Sequence, residues 1–349
     1  MSLGPVMCDI KGLTLSDSDR VRLCKKQVGG VILFTRNYES PQQIKALIDD
    51  IHQLRTPRLI VAVDHEGGRV QRFRAGFESI PAMRVFGKIF DQNEQKAINQ
   101  TETIGWLVAS ELLHYGLDLS FAPVLDIGDP VSEVIGDRAF HKDPKVITRL
   151  ANAWIRGMRA AGMEAVGKHF PGHGSVQGDS HHVMPFDNRS YEQIQQLDLI
   201  PFAQVIKTHL SGVMMAHVIY EQVDTLAAGF SKFWIGKCLR QILNFDGVVF
   251  SDDLSMAGAE SAGSYAQRAF KSLEAGCDML IVCNNEDGAD EVIEALGEYN
   301  NPVSQIRLTR LHGKKPQKNV FETKQWKHAK QVLEQLNAES SLTVENDLF

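Results

Sequence analysis

Short, almost uninterrupted apolar runs alternate with amphipathic stretches of helical period along this chain, and few folds accommodate that rhythm. The runs are Val6–Ile10, Gly30–Phe34, Leu59–Asp64, Leu119–Asp126, Ala165–Phe170, Gly212–Val218, Gly247–Asp252 and Met279–Cys283. Rich in Val, Ile, Leu, Met and Phe, they suit parallel strands buried on both faces. Helix starts are marked between them. Ser40-Pro41-Gln42-Gln43 combines a capping-box pattern with Pro at the first helical position. Asp143-Pro144 opens a helix that Gly162 can stop, and Ser190-Tyr191-Glu192-Gln193 is a second capping box. Eight strands with intervening helices between residues 6 and 283 predict an α/β fold, a single-domain TIM-type (β/α)8 barrel over 1–349. A doubly wound open sheet uses the same pattern, and periodicity alone does not separate the two. Val292–Leu296 reads as the closing helix and Trp326–Leu336 as a last one, with 337–349 as a tail expected to fray.

Composition narrows the partners. With 37 Lys+Arg against 43 Asp+Glu, the formal charge is −6, and nothing concentrates basic residues for nucleic acid or anionic membrane. Residues 1–20 lack the apolar block of a signal peptide, and no uncharged run approaches the ~18 residues that span a bilayer. The five cysteines are scattered and contain no C-x-x-C, which fits reduced thiols in a cytoplasm. The expectation is a monomeric cytoplasmic protein with a small-molecule partner, no cofactor and no metal.

Titratable residues gather at strand ends, where a barrel builds its site. The third run leads into Asp64-His65-Glu66-Gly67-Gly68-Arg69-Val70-Gln71-Arg72. That segment alone is equally consistent with a loop ion pair and turn glycines. The fifth run leads into Lys168-His169-Phe170-Pro171-Gly172-His173-Gly174, followed by Asp179-Ser180-His181-His182. Four histidines so close together raise a metal-site reading, but their uneven spacing in a Gly/Pro-rich loop argues against it. The seventh run ends in Asp252-Asp253. Adjacent carboxylates point in different directions, so at most one faces a ligand and the other is expected to cap the following helix. His217 and Asp278 read as satisfied barrel-end groups.

Taken together, the Asp64–Arg72 segment, Ile135-Gly136-Asp137-Arg138, the Lys168–Gly174 loop, Asp179-Ser180-His181 and Ser251–Met256 resemble glycoside hydrolase family 3. Within it they resemble the single-domain cytoplasmic β-N-acetylglucosaminidases of bacterial peptidoglycan recycling. The resemblance implies a retaining mechanism with Asp252 as nucleophile, His181 as proton donor and acceptor, and Asp179 orienting His181. An imidazole in that role suits a site working near neutral pH. It also implies that Asp64, Arg72, Arg138, Lys168 and His169 hold the non-reducing N-acetylglucosamine, with His173 supporting the loop. Gly172, Gly174 and Gly178 are expected to make that loop mobile enough to close over sugar. The implied reaction removes terminal β-linked N-acetylglucosamine from 1,6-anhydro-muropeptides. Two rivals are a metal-dependent amidohydrolase, which lacks the needed His-x-His near the first strand, and a catalytically silent sugar-binding protein.

Overall fold

The structure is a computed structural model that describes residues 2–346 except 177, 179 and 181–183, with side chains described as far as 338. Eight parallel strands close a barrel in chain order: β1 (Val6–Cys8), β2 (Val28–Leu33), β3 (Ile60–Val63), β4 (Leu119–Ser120), β5 (Glu164–Phe170), β6 (Gly212–Met215), β7 (Val248–Asp253) and β8 (Met279–Val282). β8 pairs back onto β1 through Val6 against Leu280 and Cys8 against Val282. The barrel expectation therefore holds, and closure removes the open-sheet alternative.

Helices form the outer layer: α1 (Asp17–Leu23), α2 (Pro41–Gln53), α3 (Arg84–Gln92), α4 (Glu94–Tyr115), α5 (Pro144–Ala161), α6 (Tyr191–Gln196), α7 (Leu199–Lys207), α8 (Tyr265–Ala275), α9 (Glu286–Leu296), α10 (Pro302–Thr309) and α11 (Lys324–Asn346). A π-type helix, Phe233–Ile242, makes the crossover from β6 to β7. The sequence caps are present with one change. Ser190 and Gln193 form a full capping box. Ser40 accepts from Gln43 N, but the Gln43 side chain reaches Glu39 N instead of closing the box. Gly162 ends α5 in the left-handed conformation. The last helix runs to Asn346, beyond Leu336 where its apolar spacing weakens.

Two apolar layers follow from the period of two along each strand. Inward residues, among them Met7, Ile32, Ile60, Ala62, Val166, Met214, Val248, Phe250, Met279 and Ile281, fill the barrel interior. Their neighbours face the helices and form the larger outer core. At the N-terminal end Leu3, Leu308 and Leu311 plug the interior. Continuing each inward column to the C-terminal end gives Phe34 after Ile32, Asp64 after Ile60 and Ala62, Lys168 after Val166, and Asp252 after Val248 and Phe250. Alternation thus delivers chosen side chains to one mouth.

The expected strand Leu119–Asp126 is the most shortened: only Leu119–Ser120 is regular. Pro123 has no N–H to give to a ladder. The chain beyond still follows β5, with Leu125 N donating to Lys168 O at 2.7 Å.

After β3 a small hairpin, His65–Gly67 against Val70–Gln71, turns through Gly67 and Gly68, both at positive φ. The segment after it is anchored from α4, where both carboxylate oxygens of buried Glu111 accept from Glu78 N at 3.3 and 3.2 Å. Burial pushes the Glu111 carboxyl up to about 8, although the Glu78 N–H pulls it down. A carboxyl that titrates higher folded than unfolded stabilises the fold fully only below its ordinary value of 4.5, and that contribution is lost as pH rises through about 8. Glu111→Gln should remove this loss. Between pH 5 and pH 9 the variant's melting temperature should gain on the parent's by at least ~3 °C. Parallel melting curves in scanning calorimetry across that range would contradict it.

Candidate active site

The C-terminal mouth of the barrel opens into a cleft of about 440 Å³. Asp64, Arg72, Arg138, Lys168, His169 and Asp252 all line it, although they come from four separate stretches of chain. Phe34, Met214 and Ile281 contribute apolar surface from the inward columns of β2, β6 and β8.

The polar wall is a buried charge network. Lys168 Nζ lies 2.8 Å from Asp64 Oδ1 and 2.6 Å from Glu66 Oε1. Arg138 grips Glu66 with two parallel bonds of 2.8 Å, the strongest form of guanidinium–carboxylate pairing. Arg72 reaches Asp64 Oδ2 at 3.3 Å and stands over the Phe34 ring, whose centroid is 5.5 Å away. Burial alone would raise both carboxyls. Lys168 and Arg72 reverse that for Asp64 and hold it well below the usual carboxylate range. Arg138 and Lys168 do the same for Glu66, holding it down to about 2. Burial would lower Lys168, and Asp64 with Glu66 raise it instead. Asp64, Glu66 and Lys168 are therefore charged at neutral pH, and so is the Arg138 guanidinium.

Beside this network, His169 Nδ1 lies 2.7 Å from Asp126 Oδ2. Asp126 also accepts from the backbone N–H of His169 and, at 2.7 Å, of His173. Burial would raise its carboxyl, but His169 and these donors hold it below its ordinary range. A carboxylate so held fixes one imidazole nitrogen and leaves the other for a ligand.

The paired aspartates diverge. Asp252 belongs to the inward column and faces the cleft, with one oxygen accepting from Asp253 N at 2.8 Å. Asp253 also borders the cleft, but both of its oxygens are taken, accepting from Ser255 N, the Ser255 hydroxyl and Cys283 N. It caps a turn, not a helix: the following 3-10 helix, Ala257–Ala262, has Met256 at its N-cap with no side-chain cap. His217 is structural, its Nε2 lying 3.1 Å from Asp253 O. Asp179 and His181 lie outside the described residues.

Two glycines of the histidine loop also meet a packing constraint. A Cβ on Gly172 would stand 2.6 Å from Asp198 Cβ, and one on Gly174 would stand 1.9 Å from Ile127 O. These glycines permit close approach of the loop to the barrel. His173, read as loop support, itself lines the cleft.

Glu66 and Asp126 were not singled out from sequence as site residues. Glu66 had a legible signal: it is two residues from Asp64, so extended backbone puts both on one side, with His65 turned into the aromatic cluster of Phe73 and Phe77. Asp126 had none, because it follows irregular chain around Pro123. Among the described residues, no group of three His, Cys, Asp or Glu could hold a metal ion.

Fold and cleft together define a barrel enzyme that binds a small polar molecule at its strand ends. Residues 7–312 match the model of the glycosyl hydrolase family 3 N terminal domain, and the chain belongs to that family and is a glycoside hydrolase. A "Beta-hexosaminidase" of Thioalkalivibrio sulfidiphilus is 50% identical over 339 residues, 97% of both chains. Among solved structures, NagZ from Neisseria gonorrhoeae in complex with N-trifluoroacetyl-D-glucosamine superposes with a TM-score of 0.92 at 42% identity, covering 96% of this chain and 98% of that one. The same neighbour has also been solved with a zinc ion, at a TM-score of 0.90 and 41% identity, with the same coverage.

Removing one member of a buried, hydrogen-bonded charge network leaves its partners uncompensated, at a cost of about 3–5 kcal/mol. Glu66→Ala should therefore lower the urea midpoint markedly at pH 7. Because its carboxyl is depressed to about 2, Glu66 contributes above its ordinary titration range and loses that contribution as pH falls through about 2. A Glu66→Ala midpoint within error of the parent at pH 7 would show that the network contributes nothing to folding.

Proposed function

We propose that this chain is a retaining exo-β-N-acetylglucosaminidase that removes terminal β-linked N-acetylglucosamine from 1,6-anhydro-muropeptides during peptidoglycan recycling, acting as a monomer in the cytoplasm. The observation that carries the reading is the convergence of Asp64, Arg72, Arg138, Lys168, His169 and Asp252 on one sugar-sized cleft. The relatives named beta-hexosaminidase support the coarser part of the reading, hydrolysis of a hexosaminide. No helix among the described residues is long and apolar enough to cross a membrane.

In this mechanism Asp252 attacks the anomeric carbon while His181, oriented by Asp179, protonates the departing glycosidic oxygen. The bond to the leaving sugar breaks as the Asp252 ester forms. Water then attacks the same carbon, giving its proton to His181 and releasing Asp252. The Asp253 N–H on one Asp252 oxygen fixes the plane of the nucleophile. Ionised Asp64 accepts sugar hydroxyls, and Lys168, Arg138 and Arg72 donate to them. The His169 nitrogen not held by Asp126 adds a further polar contact. Such charge-assisted bonds hold one hydroxyl pattern in place. The proposal needs no metal or cofactor.

Asp252→Ala should lower turnover by several orders of magnitude with an unchanged circular dichroism spectrum. A 2-fluoro or slowly deglycosylating substrate should leave its adduct on Asp252 in peptide mass spectrometry. An adduct on Asp253 or Glu66 instead would displace the assignment.

Substrate choice tests the finer reading. A site that hydrogen-bonds a substituent leaves polar groups unpaired when that substituent is absent, which in favourable cases discriminates by factors on the order of 10⁴. The kcat/KM for an aryl N-acetyl-β-glucosaminide should greatly exceed that for the matching glucoside. A ratio near or below one would put the chain with glucosidases and remove the recycling role.

A further inference from the structure

The connection that leaves β5 begins and ends on one buried cluster. At its start the Tyr220 hydroxyl donates to Gly172 O at 2.6 Å. Gly172, at φ +146, packs so closely on Asp198 that no side chain fits between them. At its end the short strand Phe186–Asp187 pairs with Ile219–Tyr220, so Tyr220 belongs to both anchor points. The Arg189 guanidinium grips the Asp187 carboxylate, with Nη2 at 2.6 Å from Oδ2, and its Nη1 donates to Asp198 Oδ2 at 2.7 Å. One cation thus joins the residue behind the start to the residue at the end. Between the anchors, Ser180 O accepts from Gly258 N at 3.0 Å.

None of Tyr220, Asp187, Arg189 and Asp198 lines the cleft, and core filling does not account for them. Tyr220 is fully buried and packs edge-on against Trp234, a contact that phenylalanine would make equally well. Two buried carboxylates on one guanidinium leave a net negative charge out of water, which is costly to fold. Burial pushes Asp198 up to about 6 even with Arg189 beside it. The arrangement is understandable if its geometry is worth more than its stability.

We propose that Tyr220, Arg189 and Asp198 form a clamp that fixes both ends of the connection 172–187, and that they thereby act as positioning residues for the proton-transfer group it carries. The proposal rests on the assignment of His181 made above. A misplacement of about 1 Å can lower a rate by as much as 10²-fold. The loss should appear only where protonation of the leaving group matters.

The test compares kcat/KM for N,N′-diacetylchitobiose, whose leaving alcohol needs a proton, with that for 4-nitrophenyl N-acetyl-β-glucosaminide, whose nitrophenolate does not. Tyr220→Phe should lose about tenfold or more on the disaccharide and less than about threefold on the aryl substrate. His181→Ala, the control, should show a larger split of the same sign. Equal losses on both substrates, or none on either, in Tyr220→Phe would overturn the clamp while the control keeps its split. A control without a split would overturn the His181 assignment, and the clamp with it. Should Tyr220→Phe be unfolded at the assay temperature, Asp198→Asn, which keeps shape and an acceptor for Arg189, is judged by the same criteria.

Discussion

Four charges withdrawn from water hold the mouth of this barrel in shape. Asp64, Glu66, Lys168 and Arg138 come from the end of β3, the hairpin after it, the end of β5 and the loop after β4, and each finds its main partners among the others. Removing such groups from water costs several kcal/mol apiece, so the set is tolerable only with two or more close partners for the central members. Lys168 and Glu66 meet that condition. A shift of any one of these segments would strain bonds to the others, which makes the geometry stiff. The loop bearing Arg138 has further ties, since Arg69 donates to Val134 O and Arg84 to Gly136 O.

The opposite end of the barrel shows what the same residue types do without a ligand to meet. Asp118, just before β4, is held by Arg58 through bonds of 2.8 and 2.6 Å and by Val61 N. Asp278, just before β8, is held by Arg240, Arg307, Ser304 and Val249 N. These aspartates brace the strand starts and face no comparable cleft. Burial and charge are alike at the two ends. The difference is that the C-terminal residues ride on inward columns that end in open space, whereas the N-terminal interior is plugged by Leu3, Leu308 and Leu311.

The residues most legible in the sequence were those whose position follows from strand period. Asp64 and Asp252 each end a visible apolar run and Lys168 lies near the end of one, and the divergence of Asp252 from Asp253 follows from alternation. Glu66 was readable by the same rule, since it shares a side with Asp64. Asp126 and the clamp residues Arg189, Asp198 and Tyr220 were not. Asp126 acts through His169, some forty residues later in the chain. The clamp joins residues brought together by the crossover from β5 to β6, and no local pattern records such a meeting.

What the chain determined on its own was local: eight apolar runs of strand length, helices bounded by Ser, Asp, Pro and Gly, and titratable side chains immediately after the runs. These depend on backbone periodicity and on short-range hydrogen bonds, both of which are written over a few residues. Whether the sheet closes was decided only in three dimensions, by the pairing of Val6 with Leu280 across nearly the whole sequence. The ionisation of the cleft was decided there too. An isolated Asp64 or Glu66 would be driven toward its neutral form by burial; Lys168, about a hundred residues away, is the largest opposing charge for Asp64, with Arg72 beside it, and Arg138, more than seventy residues away, is the largest for Glu66. Electrostatic balance is a property of the assembled fold, because desolvation and Coulomb attraction depend on distance in space, not on separation along the chain.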